Sequence, residues 1–113
     1  MAGSIFHITS PSDAEQLLEA GRLSPDSLEA EGFVHCSTAA QVVGSTARHF
    51  GADANLVLIE LDPQLVEHEI SWPEVYPGQR YPHVHGPLSA SSVVAVHLWR
   101  EADRARWSPD PAG

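Results

Sequence analysis

Apolar and polar positions alternate over residues 4–9, which predicts a first strand with Ile5, His7 and Thr9 on one face and Phe6 and Ile8 on the other. Ser10-Pro11-Ser12-Asp13 then reads as a helix start. Ser10 can cap, Pro11 suits the first helical position, and Asp13 completes the capping pattern. Ala14, Leu17 and Leu18 give that helix a buried stripe, and Gly21 is a natural stop. A turn at 24–27 leads into a short helical stretch at 27–31, and Gly32 opens a second strand over 33–37. Ser37 or Thr38 is expected to cap a second helix with Val42, Val43, Ala47 and Phe50 on its inner face and Gly51 at its end.

Residues 56–61 form an apolar run of strand length, as expected of a strand central to a sheet, and Asp62-Pro63 ends it. A weaker strand pattern covers 66–72, and 73–82 reads as a loop held by Trp72, Tyr76 and Tyr81. Val84 is flanked by prolines, so a strand there is expected at an edge or a bend. Residues 93–99 alternate as a last strand, after which the pattern breaks down. The expectation is an α+β domain over residues 1–100, with two helices packed on small antiparallel or mixed sheets, and a disordered tail over 101–113.

Composition narrows the function classes. The 113 residues are 42% hydrophobic, enough for a packed core, and carry 15 acidic against 6 basic residues for a net charge of -9. That balance argues against binding along a nucleic-acid backbone. All six basic residues are arginine, and Arg22, Arg48 and Arg80 leave room for one local anion pocket. A single cysteine gives no support for disulfide-bonded secretion, and neither a signal peptide nor a membrane span is evident. The expectation is a soluble cytoplasmic protein with a small-molecule ligand.

The candidate chemistry is carried by histidine. Gly32-Phe33-Val34-His35-Cys36-Ser37-Thr38 and Tyr81-Pro82-His83-Val84-His85-Gly86-Pro87-Leu88 each place imidazoles where a strand gives way to a turn. Along the first of these, His35 and Ser37 share one face while Cys36 points away with Val34. Cys36 is expected to be a buried thiol acting as a small hydrophobe. His83 and His85 form a His-x-His pair that either rigidifies its loop or, with His35, supplies a three-imidazole metal site. His7 on the first strand must find a partner or a ligand. Either it shares a ligand with Thr9, or a backbone hydrogen bond pins the strand. His49, His68 and His97 read as isolated and structural.

These strings, together with Ile5-Phe6-His7-Ile8-Thr9 and Leu56-Val57-Leu58-Ile59-Glu60-Leu61-Asp62-Pro63, resemble the DUF952 family of small bacterial proteins, in order from about residue 4 to about residue 96. The resemblance implies an ADP-ribosyltransferase-like fold, which binds NAD in a cleft between two small sheets. Some members carry a glutathione-transferase label, but nothing in this chain resembles that enzyme's thioredoxin-like half. Phe6-His7-Ile8-Thr9 is similar to the wider group's first-strand motif except at Ile8, and His7 would there contact a ribose. Phe33 or His35 corresponds to the aromatic position that stacks on nicotinamide. Where transferases place a catalytic Glu, this chain has His83-Val84-His85, which points away from transfer to a protein acceptor. It fits better with the group's phosphotransferase branch or with loss of catalysis.

The first expectation is therefore an enzyme acting on NAD or an ADP-ribosylated small molecule, with His35 and His83 catalytic. His7, Thr9, Phe33, Ser37, Thr38, His85 and Gly86 would bind the nucleotide, and no metal is required. The alternatives are a non-catalytic nucleotide or metabolite binding module, and a metal-dependent hydrolase using His35, His83 and His85.

Overall fold

The computed structural model describes residues 3–51 and 54–108. In chain order the elements are β1 (Ile5–Thr9), α1 (Pro11–Ala20), β2 (Arg22–Leu23), α2 (Asp26–Glu31), β3 (Val34–His35), β4 (Ser37–Thr38) and α3 (Val42–His49). They continue with β5 (Val57–Leu61), β6 (Ile70–Ser71), β7 (Glu74–Tyr76), β8 (Gln79–Arg80), β9 (His83–Val84), β10 (Leu88–Ser89), β11 (Val93–Leu98) and α4 (Glu101–Ala105). A 3-10 turn at Ala90–Ser92 leads into β11. The architecture is α+β, with four α-helices among the described residues and every described strand pair antiparallel.

β5 is central, as its apolar run requires, in a four-stranded sheet of order β11-β5-β1-β4. Both faces of that sheet are covered. Val57, Ile59 and Leu61 pack with Ile5, with Ala14 and Leu17 of α1, and with Val34, Cys36 and Val84. Leu58 and Phe6 pack on the other face with Val42 of α3 and Trp99. Burying apolar side chains on both faces ties the two helices to one sheet.

The first helix begins as the capping pattern requires. The Asp13 amide donates to Ser10 Oγ at 3.2 Å, Pro11 occupies the first turn, and Gly21 closes the helix at φ 83°. Its stripe is narrower than expected, for Leu18 is 55% exposed while Ala14 and Leu17 are buried. The second expected helix, α3, starts later than Ser37 or Thr38, because both of those lie in β4. Val42, Ser45 and Thr46 face inward, where Ser45 meets the Ser37 hydroxyl and Thr46 accepts from the Trp99 indole, while Val43 and Ala47 face solvent. The chain leaves the helix at Phe50, one residue before Gly51.

Three further expectations are corrected. The strand at 66–72 reduces to Ile70–Ser71. The loop at 73–82 contains the β7–β8 hairpin, whose turn uses Gly78 at φ 75°. β9 is not an edge but the middle strand of a sheet of order β3-β9-β6. Pro82 and Pro87 both lie outside its two paired residues, so neither proline removes a ladder donor there.

The disordered tail expected over 101–113 is partly replaced by structure. Glu101–Ala105 is a short helix, capped where the Arg100 amide and guanidinium both donate to Asp103, which holds that carboxyl at a pKa of about 2. Beyond it, Trp107 meets Phe6 and Trp99 edge-on and its indole N–H donates to the Ala39 carbonyl at 2.8 Å. Residues 109–113 lie outside the described residues. No described helix is long and apolar enough to cross a membrane.

Candidate functional site

β4 pairs only with Ile5 and Phe6, leaving the edge of β1 from His7 onward without a strand beside it. A cavity of about 480 Å³ opens there, bounded by β1, the β3 and β9 strands, α3 and the β7–β8 hairpin. Its apolar wall includes Phe6, Phe33, Phe50, Val75, Tyr76 and Tyr81, and its polar groups include Glu31, His7, His35, His49, His83, Ser37 and Ser45.

His7 is buried in the wall. Its Nδ1–H donates to the His35 carbonyl at 2.8 Å, which assigns the proton and leaves Nε2 without a partner among the described residues. Burial pushes its pKa below 6.5, and the His35 carbonyl and Asp13 oppose that only in part.

His35 stands opposite His83 in the β3–β9 ladder, with ring centroids 5.5 Å apart. Its Nε2–H donates to Glu31 Oε2 at 2.7 Å. Gly32, at φ 87°, turns the chain sharply between the end of α2 and the strand, so two side chains four residues apart meet across a break in secondary structure. His83 lies flat against Phe33, its centroid 3.8 Å away and the planes 7° apart. It makes no hydrogen bond with any described residue. Burial lowers its pKa first, and the neighbouring His35 and His85 lower it further.

The expected alternation around Cys36 holds in outcome, though the strand breaks there into β3 and β4. Val34 and Cys36 pack in the core and His35 and Ser37 line the cavity, which Cys36 also touches. The Cys36 thiol is pushed up to about 12 by burial, so at neutral pH it stays protonated and is a poor nucleophile. Ser37 and Ser45 hydroxyls pair at 2.8 Å across the floor.

Of the nine expected site residues, His7, Phe33, His35, Ser37 and His83 come together. Four do not. Thr9 donates instead to Asp13 at 2.7 Å. Thr38 pairs with Ile5, and its amide donates to Gln41 Oε1. His85 follows the last paired residue of β9 and is not part of the cavity lining: its ring lies 6.2 Å from that of Phe33, its Nε2 meets Ser71 Oγ at 2.7 Å, and its amide donates to the Glu69 carbonyl. Gly86 lies against the ring of His68, where a Cβ would overlap. The rings of His35, His83 and His85 all lie around Phe33, but no three His, Cys, Asp or Glu side chains among the described residues are arranged to hold a metal ion.

Glu31, Ser45 and His49 are among the lining residues not expected from the sequence. Glu31 was visible as the partner four residues before His35, but Gly32 interrupts the helical spacing that would have flagged it. Ser45 follows from the phase of α3, which the sequence placed wrongly. His49 sits at the exposed end of α3 and reaches the cavity only through tertiary packing. None of Arg22, Arg48 and Arg80 lines the cavity among the described residues. Arg48 donates to the Tyr81 hydroxyl and lies 4.6 Å from the centre of the Tyr76 ring, while Arg80 donates to the Trp72 carbonyl.

A family model described as a protein of unknown function, DUF952, matches residues 8–96. The crystal structure of protein CC0527 from Caulobacter crescentus is similar at 28% identity and a TM-score of 0.76, covering 84% of each chain. The solution structure of the same protein is similar at a TM-score of 0.65, covering 86% of this chain and 84% of that one. No curated protein matches.

Proposed function

Because the chain belongs to the DUF952 family, whose function is unknown, we propose from the chemistry of its cavity that it binds a nucleotide of the NAD or ADP-ribose type. The observation that carries this reading is the convergence of His7, His35 and His83 with Phe33 from three separate strands onto one cavity. About 480 Å³ is a volume suited to a small ligand, and the aromatic wall suits a planar base. The same reading takes the domain as ADP-ribosylation-like, with the cleft between its four-stranded and three-stranded sheets.

In this reading the bare Nε2 of His7 accepts a hydrogen bond from a ribose hydroxyl. His35, oriented by Glu31, serves as general base, and His83, its neighbour across the β3–β9 ladder, faces the ligand from the same side as a second proton-transfer group. A second reading, a module that binds without turnover, is favoured by Cys36, whose protonated and buried thiol removes the obvious covalent nucleophile.

Titration with NAD, ADP-ribose and AMP, followed through the histidine ring protons by NMR, tests the proposal. His7 and His35 are expected to shift at millimolar ligand, and replacing His7 by Ala is expected to weaken binding. Unmoved resonances with all three ligands would remove the nucleotide reading.

A further inference from the structure

We infer that the part of the ligand held in this cavity carries no negative charge and is recognised by donating hydrogen bonds, as the base-and-sugar end of a nucleoside does, with any phosphate left outside. This inference rests on the nucleotide reading above and narrows it.

His83 carries the argument. Its residue is only 9% exposed, it lines the cavity, Phe33 covers one face of its ring, and neither ring nitrogen has a protein partner among the described residues. No buried nitrogen or oxygen among the described side chains lacks a partner, so the unpaired nitrogens of His83 are open to the cavity, where water or a ligand meets them. The ring offers one donor and one acceptor.

Its neighbours tilt the balance towards acceptors. His7 uses Nδ1–H on the His35 carbonyl and keeps the lone pair of Nε2. His35 uses Nε2–H on Glu31, which in the neutral ring leaves Nδ1 as a lone pair. These three imidazoles thus offer three ring acceptors to a ligand against one ring donor, and His49, which also lines the cavity and makes no hydrogen bond with a described residue, adds one of each, so acceptors outnumber donors by four to two. A ligand that only accepts, such as a phosphate, leaves most of them unpaired.

Charge points the same way. Glu31 is the one carboxylate or guanidinium side chain among the described lining residues. Arg48 is engaged with Tyr81 and Tyr76 and is not part of the lining. An anion in the cavity would meet that carboxylate, in a chain of net charge -9, with no guanidinium among the described lining residues to offset it. Vicinal hydroxyls or a carboxamide would meet lone pairs instead.

Calorimetric titration at pH 8 with adenosine, AMP, ADP-ribose and 2′,3′-dideoxyadenosine separates the possibilities. Adenosine is expected to bind at least as tightly as AMP or ADP-ribose, and loss of both hydroxyls is expected to weaken binding by about tenfold. His83→Phe keeps a ring on Phe33 but removes both nitrogen contacts, and it is expected to weaken adenosine by about tenfold as well. His83→Asn, which restores a donor and an acceptor, should recover part of that loss. Affinity that rises with each added phosphate overturns this inference and leaves the nucleotide reading standing. Equal binding of adenosine and its dideoxy form overturns it too. If none of the four binds, both fall.

Discussion

The imidazole of His83 lies flat on the phenyl ring of Phe33, with centroids 3.8 Å apart and planes 7° from parallel. Stacking and the β3–β9 ladder are therefore what hold this ring in place, since no hydrogen bond to a described residue does so. Phe33 precedes β3 and His83 begins β9, so the contact also joins the two strands at the mouth of the cavity.

Removing the phenyl ring should change how His83 titrates. Burial is the main cause of its lowered pKa, and Phe33 supplies one face of that burial. Phe33→Ala is expected to let the His83 pKa rise towards 6.5, with a smaller rise for His35→Gln, which removes a neighbouring imidazole. Ring-proton titration by NMR measures both. An unchanged His83 pKa in Phe33→Ala would show that the stack contributes nothing to desolvation.

Gly86 is set by packing rather than by backbone conformation. It does not have a positive φ, yet a Cβ there would overlap the His68 ring. Gly86→Ala is expected to cost about 1–3 kcal/mol, because the imidazole must leave its place. The double variant with His68→Ala should regain most of that loss. Denaturant unfolding of the two single variants and the double variant reads the coupling, and strict additivity would contradict the packing account.

Trp107 ties the end of the described chain to the core through Phe6, Trp99 and the Ala39 carbonyl. Trp107→Ala is expected to cost about 2–3 kcal/mol, below a fully buried aromatic because the residue is only partly buried. Trp107→Phe should lose about 1 kcal/mol, chiefly the indole hydrogen bond. Thermal unfolding distinguishes the two, and a neutral Trp107→Ala would mean that this segment merely rests on the surface.

Local chemistry was legible where local rules decide. Ser10, Pro11 and Gly21 mark the first helix because capping and left-handed closure depend on neighbours in the chain. The 56–61 run reads as central because only a strand covered on both faces tolerates it. Phase and strand ends were not legible. Val43 and Ala47 face solvent because Ser45 and Thr46 bond to Ser37 and Trp99, partners distant in the sequence, and so set the inward face of α3. His83 lines the cavity and His85 does not, its ring being held instead by Ser71 Oγ, a partner distant in the sequence. Trp107 follows a stretch without periodicity, so nothing local marked it as anchored.

Acid should weaken the fold through His7. Its folded pKa lies below the 6.5 expected of an unfolded chain, so on acidification the unfolded state takes up the proton first. The contribution is fully present above 6.5 and is lost as pH falls through the lowered folded value. His83 has the same sign. Urea unfolding at pH 8, 6.5 and 5.5 is expected to show stability falling over the last interval, above the range where most carboxylates protonate. His7→Asn retains an N–H to face the His35 carbonyl but cannot take up the proton, so its loss over that interval should be smaller. His7→Asn combined with His83→Phe should flatten the dependence further. A slope undiminished in the double variant would place the acid sensitivity elsewhere in the chain.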